Sequence, residues 1–229
     1  MENNANRYSE LEQKIGYCFK DNSHLDIAFT HKSYTNEKMC ARRDSYERYE
    51  FLGDAILEFL VSNFLFVNYP DKPEGDLTKL RASLVCEFTL SKIARELSLG
   101  KYGFFSKGER NTGGCNRDSI LCDMFESLLG AIYIDGGLDE ARRFVETLLL
   151  TDIEHKKLFY DSKSKLQEYA QKNETKLEYI LVDEKGPDHN KEFYVQVLVG
   201  GKIMAEGSGH SRKGAEQIAA YNALSKLLK

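Results

Sequence analysis

The chain has 229 residues, enough for one large domain or two modest ones, and its 41% hydrophobic and 30% charged residues are those of an ordinary globular protein. No apolar run reaches the length of a membrane span, and Met1 to Asn6 hold neither a basic nor an apolar segment, so no membrane anchor and no secretory leader are expected. A formal net charge of -4 argues against a uniformly basic nucleic-acid binder, and five cysteines without a Cys-x-x-Cys pair argue against a disulfide framework or a zinc site and for reduced thiols in a cytoplasmic setting.

In chain order, Tyr8 to Phe19 is predicted as an amphipathic helix through Leu11, Ile15 and Cys18, and Ser23 is placed to cap a second one through Leu25, Ile27, Ala28 and Phe29. Tyr34 to Asp44 is polar and reads as a loop. A long helix follows from about Ser45 to Val67, stopped by Tyr69-Pro70-Asp71-Lys72-Pro73, and another runs from Glu74 towards Leu97. Gly100 to Asn116 is glycine-rich and charged, hence a loop. The next helix ends near Asp135-Gly136-Gly137, and Leu138 to Leu150 closes a wholly helical stretch. Past Asp152 to Asp161 the pattern changes. Ser164 to Gln171 reads as a short helix, Leu177 to Val182, Glu192 to Val199 and Lys202 to Ser208 as strands, and Ser211 to Leu228 as a closing helix, with Gly200-Gly201 at a tight hairpin turn. The expected architecture is therefore multidomain, α and α+β: an all-α domain over 1–152, a connector over 153–161, and a small α-β-β-β-α domain over 162–229. From Lys163 onward there are about 11 basic and 9 acidic residues, which leaves roughly -6 for everything before. The basic charge is local to the second domain.

The long helix opens with Tyr46-Glu47-Arg48-Tyr49-Glu50-Phe51-Leu52-Gly53-Asp54-Ala55-Ile56-Leu57. At 3.6 residues per turn, Glu47, Glu50 and Asp54 fall within an arc of roughly 60° on one face. Such a stripe is either a solvated acidic face or a site whose repulsion a cation offsets. A second pair, Asp123 and Glu126, shares a face of a helix whose other residues are nearly all apolar or small, where carboxylates are costly unless paired or metal-bound. Packed side by side, the two helices would unite Glu50, Asp54, Asp123 and Glu126. An all-oxygen cluster favours Mg²⁺ or Mn²⁺ over zinc, and hard oxygen-bound metals suit phosphoryl chemistry.

With these motifs in this order and separation, the chain resembles bacterial ribonuclease III over nearly its whole length. Tyr46 to Leu57 resembles the family's signature segment and Asp123-x-x-Glu126 its second acidic motif. Gly207-Ser208-Gly209-His210-Ser211-Arg212-Lys213-Gly214-Ala215-Glu216-Gln217 resembles a stretch of the double-stranded RNA-binding domain. The resemblance implies a cytoplasmic, homodimeric, Mg²⁺-dependent endoribonuclease with Mn²⁺ as substitute. It would hydrolyse double-stranded RNA by metal-activated water to short duplexes with 5′-phosphate and 3′-hydroxyl ends, and process ribosomal RNA precursors and some messenger and transfer RNAs. Carried over by position, Glu50, Asp123 and Glu126 match metal ligands, and Asp54 and Glu126 match the catalytic acids. Glu47 and Glu74 match further acidic positions at the edges of the catalytic valley. Phe51 matches a position that inserts into the partner subunit, although plain core packing would serve the same residue type. Glu58, one turn beyond Asp54, is not required by the motif and reads as structural. Gln167, Glu168, His189, Ser211, Arg212 and Lys213 match the RNA-contacting zones, with an ordinary solvated face as the alternative for Gln167 and Glu168. Gly214 stands where the family usually continues its lysines, and it lowers local helix propensity. His31-Lys32-Ser33 matches a recurrent segment and reads as structural or as a backbone contact. A catalytically silent RNA-binding relative would have lost members of the acidic set, whereas all four core acids are here. A di-iron bundle would carry Glu-x-x-His motifs, and this sequence has none.

Overall fold

The structure is a computed structural model of the chain and describes residues 7–39, 41, 44–186, 191–209 and 211–227. It divides into two compact units, Met1–Thr151 and Asp152–Lys229. Among its described residues, all the regular elements of the first are helices, apart from a parallel bridge between Thr30 and Phe104.

Helix α1 (Ser9–Ile15) buries Leu11 and Ile15 and stops four residues short of the predicted end, because Gly16 takes φ 69° and turns the chain away. Helix α2 (Ser23–Ala28) lies where expected, but Asn22 rather than Ser23 stands at its N-cap and no side chain caps it. The predicted loop from Tyr34 to Asp44 instead opens as helix α3 (Lys32–Lys38). His31 caps it, its Nδ1 accepting the Ser33 N–H at 3.1 Å, and buried Thr35 anchors it. The long helix is α4 (Glu47–Asn68), as predicted. The single helix expected from Glu74 to Leu97 is two, α5 (Glu74–Val85) and α6 (Glu87–Glu96). Extended backbone at Cys86 breaks it, and the Thr89 hydroxyl donates to the freed Ser83 carbonyl at 2.9 Å. The loop of Gly100 to Asn116 contains a short helix α7 (Lys107–Asn111) flanked by two 3₁₀ turns. Helices α8 (Asp118–Gly136) and α9 (Leu138–Leu148) complete the unit.

Helices α4 and α8 form the central pair. The sequence of α8 explains its place: Ile120, Leu121, Met124, Phe125, Leu128, Leu129, Ala131 and Ile132 are all buried, so the helix is apolar nearly all round and must be surrounded. Two glycines let α4 approach it closely. A Cβ on Gly53 would stand 1.8 Å from the Glu126 carbonyl oxygen, and one on Gly130 would stand 2.3 Å from that of Tyr49. Main chain meets main chain at both points, which no other residue type allows.

The second unit begins with helix α10 (Ile153–Lys172), so residues 153–161, expected as a connector, form its first half. Strands β1 (Leu177–Lys185), β2 (Glu192–Val199) and β3 (Lys202–Gly209) make an antiparallel sheet in that order. The β2–β3 turn has positive φ at both Gly200 and Gly201, the type I′ geometry that matches strand twist. Helix α11 (Arg212–Leu227) packs on the sheet through Ala215, Ala219, Ala220 and Ala223, against Val195, Val197 and Val199. These short side chains allow a close approach at Gly207, where a Cβ would lie 2.3 Å from the Ala219 amide nitrogen. The α-β-β-β-α order is as read from the sequence.

Candidate active site and nucleic-acid interface

The crossing of α4 and α8 brings together carboxylates separated by more than seventy residues. One oxygen from each of Glu50, Asp123 and Glu126 lies within 4.8 Å of the others, and all three side chains are half-buried. Gly53 sits one turn from Glu50 and touches the Glu126 backbone, so the glycine contact sets the spacing of the cluster. Asp54 is exposed and outside this triplet, yet its negative charge is the strongest charge effect raising the Glu126 carboxyl. Glu47 is exposed at the start of α4 and pairs with Lys32 at 3.5 Å. Glu58 pairs with Arg81 of α5 at 2.9 Å, a structural tie between neighbouring helices. The structure does not bring Glu74 to the cluster. It opens α5, accepts from the Thr78 hydroxyl at 2.8 Å, and lines a groove with Phe59, Phe66, Leu77 and Arg81.

The cluster is short of positive charge. Burial, then the charges of Asp123, Glu47 and Asp54, pushes the Glu50 carboxyl up to about 7. Burial, then Asp54, Asp123 and Glu50, pushes Glu126 up to about 8. Asp123 is also raised by burial, against the Tyr46 hydrogen bond and the Lys32 charge, which lower it. Desolvated carboxylates that raise one another in this way call for a counter-cation. The donor set fits a small hard one: oxygens on an octahedral Mg²⁺ stand about 2.9 Å apart in cis and about 4.2 Å in trans, within reach of the spacing seen. The nearest thiol, Cys122, donates only weakly to Glu126 Oε1 at 3.9 Å, and its own pKa is raised by burial, then by Glu126, so it is not a thiolate ligand.

Other members of the site were not singled out from the sequence. The Tyr46 hydroxyl donates to Asp123 Oδ2 at 3.1 Å. Its position was a usable signal, since Tyr46, Glu50 and Asp54 follow at intervals of four on one stripe. Gly53 and Gly130 carried no chemical signal of their own.

In the second unit, Gln167 and Glu168 are exposed on α10, and Ser211, Arg212 and Lys213 are exposed at the start of α11. Ser211 Oγ accepts the Gly214 N–H at 3.1 Å, so a serine cap starts the helix despite the glycine. Arg212 pairs with Glu216, one turn further along the helix, at 3.1 Å, and Glu216 also pairs with Lys163 of α10 at 2.7 Å. His189 lies outside the described residues. Phe51 is 80% exposed on α4, which excludes packing within its own bundle.

Comparison with known proteins agrees with both halves. The Ribonuclease-III-like family pattern matches residues 21–153, and the double-stranded RNA binding motif matches residues 162–227. The chain belongs to the ribonuclease III family. It is similar to Ribonuclease 3 of Listeria monocytogenes, 43% identical over 225 residues that cover 97% of this chain and 98% of the relative. Ribonuclease 3 of Geobacillus kaustophilus is 45% identical over 224 residues, covering 96% and 91%. Among solved structures, the nuclease domain of ribonuclease III from Campylobacter jejuni aligns with a TM-score of 0.57 at 40% identity, covering 62% of this chain and 98% of that one; that structure was described for flexibility in the region involved in its dimer formation. Membership in the ribonuclease III family makes this chain an endoribonuclease with a double-stranded RNA-binding domain on the same polypeptide. Among the described residues, no helix is long and apolar enough to cross a membrane.

Proposed function

We propose that this chain hydrolyses double-stranded RNA at the Glu50–Asp123–Glu126 cluster with Mg²⁺ as its metal, leaving 5′-phosphate and 3′-hydroxyl ends. The observation that carries the reading is the meeting of three half-buried carboxylates from two helices on a chain that also holds an RNA-binding unit. Glu50, Asp123 and Glu126 hold the ion. A bound divalent cation neutralises phosphate charge and acidifies water at neutral pH. Glu126 adds a second role, serving with Asp54 as a catalytic acid beside the scissile bond. Asp54 presents an exposed carboxylate one turn from Glu50 on the side open to substrate, and Glu47, tied to Lys32, borders the same side.

Ser211, Arg212 and Lys213 meet phosphates at a helix start, while Gln167 and Glu168 face a minor groove, the mode suited to duplex RNA because its major groove is too narrow to read. Precursors of ribosomal RNA and structured messenger and transfer RNAs, in the cytoplasm, are the substrates we assign. The working form is a homodimer. Phe51, Phe59 and Phe66 are 80%, 53% and 73% exposed, and they follow one stripe of α4 beside the acidic stripe. A two-fold partner covering that stripe would set two clusters across one valley, one for each strand.

The deciding experiment is digestion of a long perfect RNA duplex by the purified chain. Short duplexes are expected with Mg²⁺ or Mn²⁺ and none with Ca²⁺ or chelator, and Glu126→Gln should bind the duplex normally and leave it uncut. Binding without cleavage in every metal would overturn the reading, and a 2′,3′-cyclic phosphate at the new ends would replace water by the RNA's own 2′-hydroxyl as nucleophile.

A further inference from the structure

Three carboxylates forced together repel one another, and each has side-chain torsions through which it could swing away. For Asp123 the structure supplies a restraint. Tyr46, directly before α4, is 3% exposed and donates its hydroxyl to Asp123 Oδ2 at 3.1 Å, across the gap from α4 to α8. Its own position is fixed from several sides. The Tyr46 N–H donates to the Thr30 carbonyl at 2.9 Å, and the Tyr46 carbonyl accepts the N–H groups of Tyr49 and Glu50 at 2.8 and 2.9 Å. The ring stands 5.6 Å from that of His31, which lies 5.5 Å from Phe105 and is itself pinned as the cap of α3. A phenol enclosed in this way keeps one rotamer, so its hydroxyl marks a fixed point for the carboxylate.

We propose that Tyr46 is a positioning residue of the active site: its hydroxyl holds the Asp123 carboxylate in place against the repulsion of Glu50 and Glu126, and thereby sets the affinity of the cluster for a divalent cation. The inference rests on the reading of the cluster as a cation site. It also gives the segment Thr30–Ser33 a purpose. The carbonyl of Thr30 and the ring of His31 fix Tyr46, and Tyr46 fixes Asp123, while Lys32 of the same segment pairs with Glu47 directly.

The test is Tyr46→Phe in the full chain, which removes the hydroxyl and keeps the ring. Mn²⁺ binding, measured by calorimetry in the absence of RNA, should weaken about tenfold, the lower end of what losing a partner of a metal-ligating side chain costs. The Mg²⁺ concentration giving half-maximal cleavage should rise by a similar factor. Cleavage at saturating Mg²⁺ should return close to the wild-type rate, with RNA affinity in metal-free buffer unchanged. Tyr46→4-aminophenylalanine, which puts an N–H donor where the O–H stood, should recover most of the Mn²⁺ affinity. Equal Mn²⁺ affinity in wild type and Tyr46→Phe, or no recovery with the amino analogue, overturns the role of Tyr46 and leaves the cluster reading intact. A wild-type chain that binds no Mn²⁺ overturns both.

Discussion

At the scale of single residues, Glu50 and Glu126 carry a thermodynamic signature that can be read without substrate. Their carboxyls are raised from 4.5 to about 7 and about 8, so between pH 4.5 and about 8 the folded chain holds protons that the unfolded chain has released. Stability from these groups is then present at low pH and is lost as pH rises through that window. In chelator, Glu126→Gln should gain stability relative to wild type on going from pH 5 to pH 8, as followed by thermal unfolding; a constant difference would mean that Glu126 titrates normally. Added Mg²⁺ should raise the wild-type melting temperature more at pH 8 than at pH 5, because it binds the deprotonated cluster. The acids themselves were legible in the sequence, since spacings of three and four place Glu50, Asp54, Asp123 and Glu126 on shared faces. Tyr46 was not, because its partner lies 77 positions away and only packing reveals the pair. Glu74 was matched to an edge position, and it lies outside the cluster, on the groove beside Phe59, Phe66 and Arg81.

Among the elements, the crossing of α4 and α8 matters most. Gly53→Ala would drive a methyl into the Glu126 carbonyl, which has no flexible end to yield. We expect a loss of roughly 3 kcal/mol, at the upper end of ordinary overpacking, and hence a melting temperature lower by about 6–12 °C. Metal affinity should fall with it, because Glu50 and Glu126 move apart; Gly75→Ala, where a Cβ meets nothing within 4 Å, is the matched control. Most helices were legible from apolar periodicity. The ones missed are those decided by capping: α3 rests on the imidazole of His31, a rarer cap than Ser or Asp, and the break at Cys86 depends on the Thr89 hydroxyl taking over the Ser83 carbonyl. Residues 153–161 read as a connector because their polarity resembles a linker, yet they continue directly into α10.

For the whole molecule, charge and apolar surface divide the work. The acidic nuclease unit needs cations to meet a polyanion, and the second unit adds exposed basic groups at the start of α11. The exposed phenylalanines of α4 predict the assembly state. Phe51→Asp should shift the chain from dimer to monomer in sedimentation at micromolar concentration without lowering its melting temperature by more than a few degrees, since Phe51 contributes little to its own core. An unchanged sedimentation profile would remove Phe51 from the interface. Exposure of this kind is invisible in sequence, where an apolar residue in an apolar helix reads equally well as core. The glycine crossing also bears on how the molecule tolerates heat. Where side chains separate two helices the spacing can yield by a change of rotamer, but at Gly53 and Gly130 it depends on peptide atoms that cannot. The two helices are riveted at these two neighbouring points, beside Glu50 and Glu126, so slack that the bundle gains on warming should collect at its periphery before it widens the gap between the carboxylates.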